Sequence, residues 1–274
     1  MHQRLAGRRA LVTGASRGIG AGIAERLAAE GADVAVTART ANEHDHPLAG
    51  SLTETRKKIE RYGTTIATIV ADLTDEEQRD TVVPAAADQL GGSIDILVNN
   101  AAAAMYQPVV GYPRKRRRIT FEANLFAPID LANAVIPDMR ARGEGWIVNI
   151  SSATAEPRPG PPFNKTPPGT TTAIYGSSKA ALKVWSNALG AELHGDGIRV
   201  NAVAPRAAVL SEGAAALVGG MIGPDQIETL EQMVEATLAL CDCPEDITGK
   251  LFTSLDLLAE WSLEVRGLDA LPLP

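Results

Sequence analysis

Ala10-Leu11-Val12-Thr13-Gly14-Ala15-Ser16-Arg17-Gly18-Ile19-Gly20 is the stretch that decides the fold. A short apolar run stops at Gly14, and Ile19, Ile23 and Leu27 then recur at helical spacing up to Gly31. The order is strand, glycine turn, helix. Gly14 permits a tight turn, Gly18 lets a backbone approach a pyrophosphate, and Gly20 lets helix and strand pack closely, while the helix N-terminus adds its positive pole. Such a loop either cradles a nucleotide or merely turns the chain, and its spacing differs from the common GxGxxG.

Outward from this unit the pattern repeats. Asp33 to Thr37 reads as a second strand, and Ser51-Leu52-Thr53-Glu54 as a capping box opening a helix that ends at Gly63. Thr65 to Ala71 is a third strand, Thr74 with Glu77 caps a helix over Asp75 to Leu90, and Ile94 to Val98 is a fourth strand. A helix over Ile119 to Arg140, strands at Trp146 to Ile150, Arg199 to Ala204 and Leu251 to Thr253, and helices after Tyr175 and near Pro224 to Leu240 complete the series. Continuous apolar strands separated by helices predict an α/β, Rossmann-type, doubly wound sheet of seven parallel strands covered on both faces, with ligands at the carboxyl ends of the strands. No repeat or linker divides the 274 residues, so one dinucleotide-binding domain over 1–274 is expected. Its biased segment, 153–172, holds six prolines and reads as an insertion or lid.

A net charge of -7 and a pI near 5.2 argue against nucleic-acid or anionic-membrane partners and point to a small molecule. Cys241 and Cys243 are too close for a framework disulfide and too few for a four-thiolate site, so structural thiols and no metal are expected. Glycine-rich sequence follows Met1 to Ala10 before any signal-like apolar core, and no later apolar run reads as a bilayer span, so a cytoplasmic protein is expected.

The chemistry gathers at Tyr175-Gly176-Ser177-Ser178-Lys179. A tyrosine and a lysine at i and i+4 share a helical face, where an ammonium favours the phenolate and brings proton transfer within reach of neutral pH. Taken alone, the pair also suits a packed tyrosine beside a solvated lysine. At the cofactor end, Asp72 suits either an adenine amine or a helix cap, and Asn99-Asn100-Ala101-Ala102 either a backbone approach to a nucleotide or a turn. An acidic residue ending the second strand would hold a free ribose 2′-hydroxyl; Ala38-Arg39 stands there instead. Arg39 and Arg17 suit a 2′-phosphate, which favours NADP(H) while leaving NAD(H) possible.

Thr13 to Gly20, Asp72, Asn99 to Ala101, Asn124, Ser152, Tyr175 with Lys179, and Asn201 to Pro205, in this order, resemble the compact single-domain form of the short-chain dehydrogenase/reductase family from about Leu5 to Thr253. The resemblance implies a catalytic tetrad of Asn124, Ser152, Tyr175 and Lys179. It implies cofactor binding by Gly14, Ser16, Arg17, Gly18, Ile19, Gly20, Arg39, Asp72, Leu73, Asn99, Ala101, Pro205, Tyr175 and Lys179. Ser152 would hold a substrate carbonyl, Tyr175 would move the proton, Lys179 would lower the phenol pKa and bind the nicotinamide ribose, and Asn124 would hold a relay water. The implied reaction is NADP(H)-dependent interconversion of a carbonyl and a secondary alcohol; a non-enzymatic NADP(H)-binding sensor or scaffold is the alternative. A homodimer or homotetramer is expected.

The chain departs from the family pattern at Ala102, at Arg206 where a glycine is usual, in the 22 residues between Ser152 and Tyr175, and after Phe252. Arg206 in a glycine position would strain or reshape its loop, or meet an anionic substrate. Glu156 to Thr170 is expected to wall the site or to make a surface excursion, Ala207 to Gly223 to form a substrate lid or a plain connection, and the tail at 254–274 to alter oligomeric packing or close over the substrate. Arg114 to Arg118 reads as a solvated helix entrance or a site for a phosphorylated substrate or acyl carrier, and His44-Asp45-His46 as loop.

Overall fold

Strands buried on both faces need helices on both faces, and the chain supplies them. The computed structural model describes residues 3–163, 171–209 and 227–273. Its strands are β1 (Arg9–Thr13), β2 (Asp33–Ala38), β3 (Ile66–Val70), β4 (Ile96–Asn99), β5 (Gly145–Ile150), β6 (Ile198–Ala204), β7 (Ala208–Val209), β8 (Ile227–Glu228) and β9 (Leu251–Thr253). Seven of them form the expected parallel sheet in the order β3-β2-β1-β4-β5-β6-β9, while β7 and β8 pair separately. The order reverses between β1 and β4, which opens a crevice at their carboxyl ends.

The helices are α1 (Gly18–Ala29), α2 (Leu52–Glu60), α3 (Glu76–Gln89), α4 (Arg114–Phe121), α5 (Ala127–Arg142), α6 (Ala173–Glu192), α7 (Leu230–Leu240) and α8 (Ser254–Glu260). One core cluster joins Val12, Val36 and Val148 to Ile23, Ile59, Met233 and Leu257 of α1, α2, α7 and α8. The other joins Leu11, Leu97 and Ile147 to Val82, Leu131 and Leu189 of α3, α5 and α6. Neighbouring residues of one strand thus serve opposite cores, as the alternation of strand side chains requires.

Several boundaries differ from expectation for local reasons. Asp75, not Thr74, caps α3 by accepting from the Gln78 N–H. Thr74 instead donates its hydroxyl to Asp72 Oδ1 (2.8 Å). Ser51 caps α2 as expected, with Glu54 N–H donating to its Oγ (3.1 Å). The helix expected from Ile119 begins at Arg114, runs through a π-turn at Glu122–Phe126 and continues as α5 to Gly143, whose φ of 68° ends it. Within this continuous stretch, Arg114–Arg142, an 18-residue window with a mean hydropathy of 1.2 is long and apolar enough to cross a membrane by length and composition alone, where no such run was expected. Half of its apolar window is buried, against α3 and α6. A capping box of Thr229 with Gln232 opens α7; Pro224 lies outside the described residues.

Beyond β9 the chain folds back over α1 and α7. Trp261 meets Phe252 edge-on at 5.7 Å, and Leu263, Val265 and Leu268 pack on the first core cluster. Arg26 of α1 is the polar counterpart of this contact: it pairs with Glu30 (3.0 Å) and Glu235 of α7 (2.8 Å) and donates to the Gly267 carbonyl (3.3 Å). All three charged side chains are almost wholly buried. The described tail therefore packs on α1 and α7. Cys241 and Cys243 are buried free thiols; burial pushes Cys243 up to about 12 and Cys241 upward as well, so both stay protonated. Arg26→Ala leaves two buried carboxylates without their cation and is expected to cost about 3–5 kcal/mol of stability, measured by urea unfolding.

Candidate active site

The crevice between β1 and β4 is closed at its floor by contact between two backbones. Gly14, at φ +66°, lies so near Ala101 that an added Cβ would stand 2.7 Å from the Ala101 Cα. A Cβ on Gly20 would meet the Gly14 carbonyl oxygen at 2.5 Å and Asn100 Nδ2 at 2.4 Å. Thr13 Oγ accepts from the N–H groups of Asn100 and Ala101 (both 3.0 Å), and Asn100 Nδ2 donates to the Thr13 carbonyl (2.9 Å). The glycine loop is thus clamped to the end of β4. Above it, the α1 cap Arg17 makes no side-chain bond to the first-turn amides, and that turn holds no acidic residue. These amides and the positive helix pole suit a pyrophosphate.

The other predicted cofactor residues are placed unequally. Gly18 has φ +55°, Ser16 is buried and Ile19 half-buried at the head of α1. Arg17 does not stand ready for a 2′-phosphate: Nε donates to the Ala49 carbonyl (2.7 Å) and one terminal nitrogen to the Gly50 carbonyl (2.9 Å). It ties the glycine loop to the segment before α2. Arg39 is open, its side chain 66% exposed, with Asp72 Oδ2 at 3.8 Å. Leu73 is buried and its carbonyl accepts from Arg79 (2.9 Å). Asn99 does not turn its side chain to the crevice. Its Nδ2 donates to Asn149 Oδ1 (2.9 Å), and Asn149 in turn donates to Ser186 Oγ (2.9 Å), a buried chain from β4 through β5 to α6.

At the end of β5 the residues of the predicted tetrad gather. Tyr175 enters in the first turn of α6, nearly buried, and Ser152 at the end of β5 acts on its phenol in favour of the phenolate. Ser152 Oγ also lies 2.9 Å from Thr154 Oγ1 and accepts from the Thr154 N–H (3.2 Å). Lys179, 2% exposed, donates from Nζ to the Ile150 carbonyl (2.7 Å). Burial pushes this lysine down to about 8. Burial also pushes the Tyr175 phenol above its usual range, Tyr106 adds to the rise, and Ser152 opposes it. In this arrangement the Lys179 ammonium is directed to the Ile150 carbonyl, one turn of α6 on from the phenol.

Asn124 sits in the π-turn, fully buried. Its Oδ1 accepts from the Ala103 N–H (2.7 Å), and its Nδ2 donates to the Ala103 carbonyl (3.3 Å) and to Ser178 Oγ (2.9 Å). Both amide hydrogens are thus used in clamping the β4–α4 loop to α6. Ser178 Oγ passes the link on to the Tyr175 carbonyl (2.7 Å).

Three residues at the site were not singled out from the sequence. Tyr106, in the loop after β4, meets the Tyr175 ring edge-on at 5.4 Å. Asn100 is the clamp already described. Glu228 lies under the turn after β6, near Pro205 and Arg206. Arg206 needs no left-handed backbone, since His44, Ser262 and Ala270 are the non-glycine positions with positive φ among the described residues. Its guanidinium pairs with Asp256, and both side chains are exposed. In the proline-rich loop, Glu156 pairs with Lys183, and Arg158 donates to Thr172 Oγ1 (3.0 Å), fastening the loop to α6. Residues 164–170 of that loop and 210–223 of the expected lid lie outside the described residues. None of Arg114 to Arg118 forms an ion pair among the described residues, and no group of three or more His, Cys, Asp or Glu there is placed to hold a metal.

Comparison with known proteins agrees with this geometry. Mouse hydroxysteroid dehydrogenase-like protein 2 is 32% identical over 94% of this chain and 50% of its own length, so the chain spans about half of that relative. A Beutenbergia cavernae protein described as an NAD(P)-dependent gluconate 5-dehydrogenase, with NADP bound at low occupancy, superposes with a TM-score of 0.76 at 29% identity, covering 93% of this chain and 97% of that one. A 7α-hydroxysteroid dehydrogenase complexed with NADH and 7-oxo glycochenodeoxycholic acid gives a TM-score of 0.78 at 28% identity, covering 92% and 94%. A family model for short chain dehydrogenase matches residues 8–214, which is most of the chain. With identity at this level running beside the shared strand order, the chain belongs to the short-chain dehydrogenase family, oxidoreductases of alcohol and carbonyl groups that bind NAD(P).

Proposed function

We propose that the protein is an NADP(H)-dependent reductase or dehydrogenase of a carbonyl/secondary alcohol pair, with Tyr175 as its general acid/base. The observation that carries the reading is the buried Tyr175 phenol beside Ser152 at the end of β5, with a buried lysine one turn on. NADP(H), held at the α1 N-terminus, would supply or accept the hydride. Ser152 orients the substrate oxygen and steadies the charge that develops on it. Tyr175 is protonated at neutral pH because burial raises it, which makes it a proton donor to a developing alkoxide. Tyr106 and the described part of the proline loop, which Arg158 fastens to Thr172, would shield this exchange from water.

Lys179 would keep its charge at neutral pH and lose it as the pH climbs past about 8. That cation is the group available to hold ribose hydroxyls and to favour the phenolate in the oxidative direction. The 2′-phosphate reading rests on Arg39, exposed and held by Asp72 only at 3.8 Å, since Arg17 is engaged elsewhere. The bound NADP of the Beutenbergia cavernae protein supports it, while the NADH complex of the 7α-hydroxysteroid dehydrogenase shows that the fold also accepts the other cofactor. A charge-assisted bond to phosphate carries the preference. Small-molecule carbonyl or alcohol substrates, a homo-oligomer and a cytoplasmic setting belong to the same reading.

Tyr175→Phe is expected to lower kcat about 10²–10⁴-fold while NADPH affinity, read by fluorescence titration, stays within a factor of about two; near-normal turnover would refute the mechanism. For the wild type, kcat/KM for NADPH is expected to fall as the pH rises through about 8, and Lys179→Met to lack that alkaline limb. Arg39→Ala is expected to shrink the ratio of NADPH to NADH affinity about tenfold, as the loss of one charged hydrogen bond implies; an unchanged ratio would sink the cofactor assignment.

A further inference from the structure

β6 ends beside β5 with Ile150 opposite Val203, and Ser151 N–H donates to the Val203 carbonyl (2.8 Å). The turn Pro205–Ala207 therefore leaves the sheet next to Ser152. A turn there has backbone donors to satisfy, and Glu228 of β8 takes them. Its Oε2 accepts from the N–H of Arg206 (3.1 Å) and of Ala207 (3.3 Å). Ser254 Oγ, at the head of α8, lies 2.9 and 2.8 Å from the two carboxylate oxygens and also accepts from the Arg206 N–H (3.2 Å).

Glu228 is 2% exposed, and among the described residues no lysine or arginine pairs with it. Arg206, whose backbone bonds to it, turns its guanidinium out to Asp256, which Thr253 also contacts. Across a groove of about 670 Å³ stand Arg17, Glu25, Glu54 and Lys58, of which Arg17 is bonded to the Ala49 and Gly50 carbonyls and Glu25 to Arg61. A buried carboxylate neutralised by hydrogen bonds alone is costly. A neutral side chain of the same shape would join β7 to β8 without that cost. What the carboxylate adds is a concentrated negative charge aimed at two successive amides of the turn.

We propose that Glu228 is a positioning residue for the nicotinamide half of the site: its ionised carboxylate fixes the Pro205–Ala207 turn, which forms the wall beside Ser152. This rests on the dinucleotide reading above. Burial raises the Glu228 carboxyl, and the Ser254 bond and the two backbone bonds pull it down. The ionised form is the one with acceptors for three donors, so the turn loosens as the pH falls through the raised value.

The test compares a ligand that needs the turn with one that does not. NADP⁺ and adenosine 2′,5′-bisphosphate are titrated calorimetrically against wild type, Glu228→Ala and Glu228→Gln, with thermal melts run alongside. Glu228→Ala is expected to weaken NADP⁺ about tenfold and leave the bisphosphate unchanged. Glu228→Gln, which keeps one acceptor for the amides, is expected to bind NADP⁺ more tightly than the alanine variant. As the pH falls, wild type is expected to lose NADP⁺ affinity relative to Glu228→Gln. Equal binding of both ligands by wild type and Glu228→Ala overturns the proposal, and so does an equal loss of both, which would mark a general structural role. If Glu228→Ala does not fold, Ser254→Ala and the pH comparison decide on the same criteria. If wild type takes NAD⁺ rather than NADP⁺, only the 2′-phosphate reading falls, and the same comparison of NAD⁺ with ADP-ribose decides the role of Glu228. Failure to bind any dinucleotide overturns both readings.

Discussion

The approach of Gly14 to Ala101 is the constraint on which the rest of the architecture turns. No side chain larger than hydrogen fits at Gly14 or Gly20 while Thr13 and Asn100 stay bonded across the gap. Because that clamp sits where the strand order reverses, it sets the width of the crevice between β1 and β4. It also fixes where the N-terminus of α1 points, and hence where an anion would be held. β5 then follows β4 in register, Asn99 opposite Asn149, which carries Ser152 to the neighbouring edge.

A second constraint is the amount of polarity buried under that edge. Asn99, Asn149 and Ser186 satisfy one another through the sheet, and Asn124, Ser178 and Ala103 do so beside it. Both chains end on α6, the helix that bears Tyr175 and Lys179. Buried amides bonded on several sides leave a helix little freedom to slide or rotate. Lys179 is the exception, a buried ammonium with one carbonyl partner and no counter-ion among the described residues, a costly arrangement for a residue seldom buried unpaired. A site that takes up anionic or hydroxyl-rich ligands gives such a charge its use.

What could be read from the sequence was what is local or periodic. The strand and helix alternation, the cap at Ser51 and the Tyr175 to Lys179 spacing each lie within a few residues of chain, and all are found. The bonds of Arg17 could not be read because its partners, the Ala49 and Gly50 carbonyls, are more than thirty residues away and belong to a loop with no pattern of its own. Asn99 and Asn100 stand side by side, and only the strand's pleat decides that the first faces Asn149 and the second the glycine loop. Tyr106 was missed because a loop aromatic has no period, although in a chain with four tyrosines its place after β4 was a usable signal. Glu228 was hidden by distance: its donors come from residues about twenty positions away and from α8.

The sheet's far border has a bearing on how the molecule keeps to itself. β9 is three residues long, its Leu251 is 44% exposed, and the chain turns at once into α8. Three residues offer too short a ladder for a foreign strand to add stably, and the helix that follows prevents its extension. Truncating the border strand in this way blunts the edge against unwanted sheet-to-sheet growth, and the Phe252 to Trp261 contact pins it in place.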